Sequence, residues 1–225
     1  VIIGGAALNQ EVEQFLKRID FPYTVGYGAT ECAPIICYAD WHTFAPGSCG
    51  RAALHQKVEI DSPDPRRIPG EILTKGPNVM LGYYKNPEAT AETIDREGWY
   101  HTGDLGTMDA DGNVFINGRS KNKLLGPNGQ NIYPEEIEDK LNSMTMVMES
   151  IVVQRDTKLV ALVHPDMDEA KNMGFSADDL KNIMNQNLNG LNELIPAYEK
   201  ISEIEIYEEE FEKTPKKSIK RYLYQ

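Results

Sequence analysis

VIIGGAALNQEVEQFLKRIDFPYTVGYGATE, residues 1–31, decides the fold class. Val1-Ile2-Ile3 is an apolar run that stops at Gly4-Gly5, as a buried strand does when it feeds a glycine turn. Asn9 can cap a helix through residues 11–18, because Val12, Phe15, Leu16 and Ile19 recur on one helical face. Phe21 to Val25 reads as the next strand. Strand, helix, strand is the grammar of an α/β domain, whose ligands gather at the carboxyl ends of strands. The turn Gly26-Tyr27-Gly28 sits at such an end.

Working outward, the pattern changes. Residues 46–120 carry short β-like runs (Lys57-Val58-Glu59-Ile60, Glu71-Ile72-Leu73-Thr74, Asn113-Val114-Phe115-Ile116) between Pro, Gly and Asp turns, so a small β-subdomain follows the α/β piece of residues 1–45. One helix interrupts it, with Asn86 as cap, Pro87 at the first helical position and a body reaching Ile94. After Lys121, the loop Gly126-Pro127-Asn128-Gly129 leads to Tyr133-Pro134-Glu135-Glu136, a helix start. Strands near residues 149–154 and 158–164, a helix capped by Ser176 and a strand at residues 201–207 complete a compact α+β unit over residues 121–225. The expected fold class is therefore α/β plus α+β, with the boundary at residues 119–122.

The 225 residues are 40% hydrophobic with a formal net charge of -12 and a pI near 4.8. Such a field repels phosphate backbones and anionic lipid, which excludes free nucleic acid as a partner; any bound phosphate must be held locally. Cys32, Cys37 and Cys49 lack zinc or disulfide spacing, and a reducing cytoplasm suits them. No run reaches the roughly 18 apolar residues of a membrane helix. A peripheral membrane contact stays compatible with the sequence. The opening residues have no basic leader or cleavage site, and the natural chain is expected to begin well upstream.

Four clusters carry candidate chemistry. Gly4-Gly5-Ala6-Ala7-Leu8 would let a flat ring or phosphate approach the backbone, or is simply a tight turn. Tyr27-Gly28-Ala29-Thr30-Glu31 sets an aromatic face, a hydroxyl and a carboxylate on one loop. These suit a base, a phosphate oxygen and Mg²⁺, although a solvated surface turn reads the same way. In Gly98-Trp99-Tyr100-His101-Thr102-Gly103-Asp104-Leu105-Gly106, the Asp104 carboxylate matches the spacing of a ribose diol, or caps its own turn. His101 reads as a hydrogen-bonding residue and Trp99 as core. Gly118-Arg119-Ser120-Lys121-Asn122 offers a planar cation for phosphate or ribose oxygens, or two exposed surface cations.

The order and spacing of these clusters resemble the adenylate-forming superfamily of acyl-CoA ligases, luciferases and peptide-synthetase adenylation domains. The segments are GGAAL, YGATE, GEILTKGPNVMLGYYKNPEATAET, GWYHTGDLG and GRSKNKLL with NGQNIYPEEIE, spanning essentially the whole chain. The loop from Lys123 to Gly129, one residue longer than usual, looks most like the long-chain fatty acyl branch. The resemblance implies the end of the large AMP-binding domain followed by a small mobile domain. It implies that Gly5, Ala6 and Ala7 line an adenine pocket with Tyr27, that Thr30 and Glu31 serve phosphate and Mg²⁺, and that Asp104 and Arg119 hold the ribose. Lys121 takes the hinge position, and Gly129 the loop that meets the pantetheine thiol. The implied substrates are a fatty acid, ATP and coenzyme A, with AMP released. An acyl–carrier-protein synthetase, a peptide-synthetase enzyme or a non-catalytic nucleotide-binding relative are the alternatives.

Two departures qualify the resemblance. Where the family ends in K-T-P-x-G-K-I-x-R, this chain reads Lys213-Thr214-Pro215-Lys216-Lys217-Ser218-Ile219-Lys220-Arg221. Ser218 thus occupies the catalytic-lysine position, and Lys217 is expected to supply the missing charge. The alternative for this tail is a basic, solvated surface strip. No Ser/Thr/Gly-rich loop ending in Lys lies in these residues to cradle a triphosphate, so the fragment alone is expected not to turn over.

Overall fold

In the computed structural model, which describes residues 1–5, 8–214 and 218–224, the opening elements form as β1 (Ile2–Ile3), α1 (Gln10–Arg18) and β2 (Thr24–Val25). β1 and β2 pair in parallel, Ile3 opposite Val25, as a helical crossover requires. The Asn9 side chain accepts from the Glu11 and Val12 amides, while Glu11 and Glu13 at the first turn and Lys17 and Arg18 at the last suit the helix dipole. The second strand is shorter than the sequence suggests. The Phe21 amide closes onto Leu16 O at 3.0 Å to finish the helix, and Pro22 has no N–H for a ladder.

β3 (Tyr27–Gly28), β4 (Ile35–Tyr38) and β5 (Arg51–Ala52) form an antiparallel sheet. Then β6 (Lys57–Asp61), β7 (Gly70–Lys75), β8 (Tyr100–Met108) and β9 (Val114–Arg119) run as a four-stranded antiparallel meander, with α2 (Pro87–Thr93) between β7 and β8. Along β7 the buried residues Gly70, Ile72 and Thr74 alternate with half-buried ones, the period of a strand with one covered face. Ile36, Cys37, Ile60, Ile72, Tyr100 and Val114 meet in one core.

The chain divides into two compact units, Val1–Lys121 and Asn122–Gln225. The second opens with the hairpin β10 (Leu124–Leu125) and β11 (Asn131–Ile132), followed by α3 (Pro134–Asn142). β12 (Val147–Arg155) and β13 (Lys158–Pro165) are antiparallel; α4 (Met167–Met173) and α5 (Ala177–Leu194) lead to β14 (Ile201–Ile206), which joins β13 in parallel. Ser176 and Asp179 close a reciprocal capping box at the start of α5. α4, capped by Asp166 and ended by the left-handed Gly174, is a seven-residue helix that periodicity does not announce.

The sheet β12-β13-β14 is covered on both faces. Leu141 and Leu191, on α3 and α5, pack with Val152, Ala161 and Val163 on one side. Phe211, with Ile219 and Tyr224 beside it, covers Ile151, Val153, Val160 and Leu162 on the other. β13 is therefore buried from Leu159 to Pro165, and its residues 159–163 are a continuous apolar run rather than an alternating one. Among the described residues, no helix is long and apolar enough to cross a membrane.

Candidate functional site

The first unit brings three of the sequence-chosen residues into contact. Asp104 on β8 faces Arg119 on β9 in the ladder. Its Oδ1 accepts from Arg119 Nε at 2.8 Å, and its Oδ2 from the Tyr27 hydroxyl at 2.6 Å. Burial pushes the Tyr27 hydroxyl far above its ordinary pKa, and the charge of Asp104 adds to this. Tyr27 therefore remains a neutral donor to the Asp104 carboxylate. The Arg119 side chain is 62% exposed, so its remaining N–H groups face water.

Glu31 lies in a 3₁₀ turn, Thr30–Cys32, just past the β3 strand. Its main-chain O accepts from the Met80 amide at 2.7 Å, and its Oε1 from the Tyr83 hydroxyl at 2.9 Å. The Asn78 amide ties the same turn down through Cys32 O and Ile35 O. Burial and this bond to Glu31 push the Tyr83 hydroxyl upward, so it too stays a donor. Thr30 is exposed beside Glu31. Sequence reasoning misses Tyr83; its only signal is an aromatic in the Leu81-Gly82-Tyr83-Tyr84 turn.

The parallel pairing of β1 with β2 sets the two glycine turns side by side. A methyl on Gly4 would meet Gly26 O at 3.1 Å, while Gly5, at φ +93°, opens onto space. Ala6 and Ala7 lie outside the described residues. Lys121 ends the first unit, exposed in the 3₁₀ turn Ser120–Asn122. The three cysteines are buried thiols; Cys49 beside Cys37 pushes the latter's thiol up, with burial adding to it. No group of three His, Cys, Asp or Glu side chains suited to a metal ion occurs among the described residues.

In the second unit Gly129, at φ +80°, is exposed at the tip of the hairpin between β10 and β11. Ser218 is exposed; its main-chain O accepts the Thr214 amide at 2.8 Å, and Lys213 and Ile219 form a bridge. Lys217 lies outside the described residues. Among the described residues the tail's cations are paired, not free. Lys213 meets Glu149 at 2.7 Å, Lys220 meets Glu212 at 2.9 Å, and Arg221 is bonded to Glu138.

Comparison with known proteins bears on both units. The family profile described as AMP-binding enzyme matches residues 1–84, and the one described as AMP-binding enzyme C-terminal domain matches residues 122–224. The sequence is 38% identical over 170 residues to 4-coumarate–CoA ligase 2 of Oryza sativa subsp. japonica, covering 69% of this chain and 30% of that protein. It is 30% identical over 205 residues to a chloroplastic long-chain-fatty-acid–[acyl-carrier-protein] ligase of Arabidopsis thaliana, covering 83% of this chain and 28% of the relative. The chain thus spans about three-tenths of the length of these curated relatives. Among solved structures, ATP-bound MatB from Rhodopseudomonas palustris superposes with a TM-score of 0.79 at 26% identity, over 99% of this chain and 44% of MatB. O-succinylbenzoate coenzyme A synthetase from Bacillus subtilis, in complex with AMP, gives 0.80 at 23% identity, over 100% and 45%, and speaks to the fold alone.

Proposed function

The chain belongs to the AMP-binding enzyme family, and on that premise we propose that it forms the nucleotide-handling part and small C-terminal domain of an acid–thiol ligase. The observation that carries this reading is Asp104, gripped between the Tyr27 hydroxyl and Arg119. Those two donors fix the carboxylate's rotation, and the spacing of its two oxygens matches the vicinal hydroxyls of a ribose. Arg119 offers its exposed donors to ribose or phosphate oxygens, and Gly5, Ala6, Ala7 and Tyr27 would border the adenine.

Glu31 and Thr30 fit a magnesium ion. They supply only oxygen donors, and Tyr83 takes Oε1 of Glu31 while Oε2 has no partner among the described residues. Mg²⁺, when bound, would offset the charge of the phosphates. In the proposed reaction a carboxylate oxygen of the substrate attacks the α-phosphorus of ATP and pyrophosphate leaves. A thiol then attacks the acyl-adenylate carbonyl and AMP leaves. Lys217 would supply positive charge in the first half-reaction in place of the lysine that Ser218 replaces. Lys121 would act as the hinge between the two poses, and Gly129 would border the incoming pantetheine.

We assign the acyl substrate to long-chain fatty acids and the thiol to coenzyme A. The acyl assignment is supported by the loop from Lys123 to Gly129 and by the long-chain-fatty-acid–[acyl-carrier-protein] ligase that aligns over 83% of the chain, and the coenzyme A assignment by the likeness to a 4-coumarate–CoA ligase. An aromatic acid is the second reading, favoured by the 38% identity to a 4-coumarate–CoA ligase. Three buried cysteines, all free thiols, support a reducing, cytoplasmic setting. The test is carboxylate-dependent ATP–pyrophosphate exchange by the protein from its complete reading frame, with fatty acids of rising length and with 4-coumarate. Thioester formation with coenzyme A and with a carrier protein is measured next. Exchange is expected with long fatty acids. Exchange with 4-coumarate alone overturns the acyl assignment, and none with any carboxylate overturns the ligase.

A further inference from the structure

The ladder between β7 and β8 is broken where Asp104 sits. Glu71 pairs with Leu105 and Leu73 pairs with His101, so Ile72 alone faces Thr102, Gly103 and Asp104. A bulge of this kind leaves main-chain N–H groups without cross-strand acceptors, and it re-aims side chains next to functional sites. Here side chains take over. The Glu71 Oε1 accepts the Gly103 amide at 2.9 Å, the Thr102 Oγ1 accepts the Asp104 amide at 3.0 Å, and that same hydroxyl donates to Ile72 O at 2.8 Å. Gly103 takes a left-handed φ of +71°, which a side chain would strain.

Glu71 has a second contact that fixes its own rotamer. Its Oε2 lies 2.9 Å from Nδ1 of His101, and the other ring nitrogen is 3.8 Å from Asp95 Oδ2. A carboxylate held at one oxygen by a ring and at the other by a main-chain amide has little freedom, although its side chain is 27% exposed. We infer that Glu71 is a positioning residue: by holding the Gly103 amide, it sets the bulge that presents Asp104 to a ribose. His101 supports Glu71 and does not itself reach the ligand. This rests on the reading of Asp104 as a ribose ligand, and it assigns Glu71 and His101 a part in nucleotide recognition.

The test compares the affinities of AMP and 2′,3′-dideoxy-AMP by calorimetry, because only a group that reads the diol moves their ratio. Wild type is expected to prefer AMP by at least about tenfold, since the dideoxy analogue loses both hydroxyl contacts to Asp104 and one charge-assisted contact alone is of that size. Glu71→Ala should bring the ratio close to one. Glu71→Leu, which keeps volume and strand propensity should the alanine variant fail to fold, should do the same. Glu71→Gln retains an acceptor for the Gly103 amide and should keep the preference within about twofold. Asp104→Asn is the benchmark. If it lowers the ratio while Glu71→Ala and Glu71→Leu leave it intact, the positioning role is overturned and the ribose reading stands. If wild type shows no preference, or Asp104→Asn does not change one, the ribose reading falls and takes this inference with it.

Discussion

The arginine–carboxylate pairs Arg119–Asp104 in the first unit and Arg221–Glu138 in the second use the same chemistry to opposite ends. Across β8 and β9 the Arg119 side chain is 62% exposed and Asp104 12%. Between the C-terminal tail and α3 the Arg221 side chain is 14% exposed and Glu138 9%. In the first pair the guanidinium keeps its water, so the attraction is screened and adds little to stability, while the exposed donors of Arg119 face a ligand. In the second pair both ions have lost most of their water. Glu138 Oε1 takes the Val152 amide at 2.6 Å and Arg221 reaches Val152 O at 3.4 Å, so both partners of the pair are also tied to the β12 main chain. Burial pushes the Glu138 carboxyl upward even against the pull of Arg221. The exposure of one partner decides whether such a pair is a binding device or a clasp.

The largest effect is expected from breaking the clasp. Arg221→Ala leaves a buried carboxylate without its cation and should cost about 3–5 kcal/mol of second-unit stability, measured by urea denaturation. The pair Glu138→Leu with Arg221→Met should recover most of that loss, because neither charge is then desolvated. The pH dependence has a definite sign. Without the cation, the folded pKa of Glu138 rises further above its unfolded value of about 4.3. A raised carboxyl contributes stability that is complete below the unfolded value and lost as pH climbs through the folded one. The deficit of Arg221→Ala should therefore widen from pH 5 to pH 8, and a deficit that narrows would erase the contrast between the two pairs.

Asp104→Asn tests the open pair. The amide oxygen can still accept the Tyr27 hydroxyl, so stability should change by less than about 1 kcal/mol. AMP affinity should nonetheless fall about tenfold, because the charge-assisted contacts to the ribose are lost. Parallel losses of stability and affinity would mean that Asp104 is a clasp as well.

The same contrast explains what is legible in the sequence. Asn9, Asn86 and Ser176 announce their helices because a cap acts over three residues, and all three side chains accept main-chain bonds there. Asp104 and Arg119 are legible as motif members, since glycine-flanked polar residues stand out locally. Their geometry is not: the Tyr27 to Asp104 bond joins residues 77 apart, and the Arg221 to Glu138 bond residues 83 apart. Glu71 reads only as part of a strand, because nothing local marks a side chain that replaces a missing ladder bond. For Lys213 and Arg221 the alternative of a solvated strip stays open in the sequence because their carboxylate partners, Glu149 and Glu138, come from β12 and α3.

A smaller effect is expected at Tyr27. Tyr27→Phe keeps the buried ring and removes one donor from a carboxylate that is only 12% exposed, which should cost about 1 kcal/mol. AMP affinity should fall several-fold as the Asp104 rotamer loosens, and affinity equal to wild type would show that Arg119 alone orients Asp104.

Arg119→Lys should be the mildest change and the finest test of the comparison. It keeps the charge beside Asp104 but replaces a planar fork by a flexible ammonium, so the geometry of donation changes while the net charge does not. Because the side chain is mostly in water, unfolding stability should move by less than about 0.5 kcal/mol. The binding role predicts a fewfold loss of AMP affinity nonetheless, since Arg119 Nε holds Asp104 Oδ1 at 2.8 Å and an ammonium cannot hold that oxygen and also present a second fixed donor. The equivalent change in the clasp, Arg221→Lys, should reverse the pattern by lowering stability and leaving AMP affinity alone. If both lysine variants lose stability to the same degree, exposure is not what separates a binding pair from a structural one.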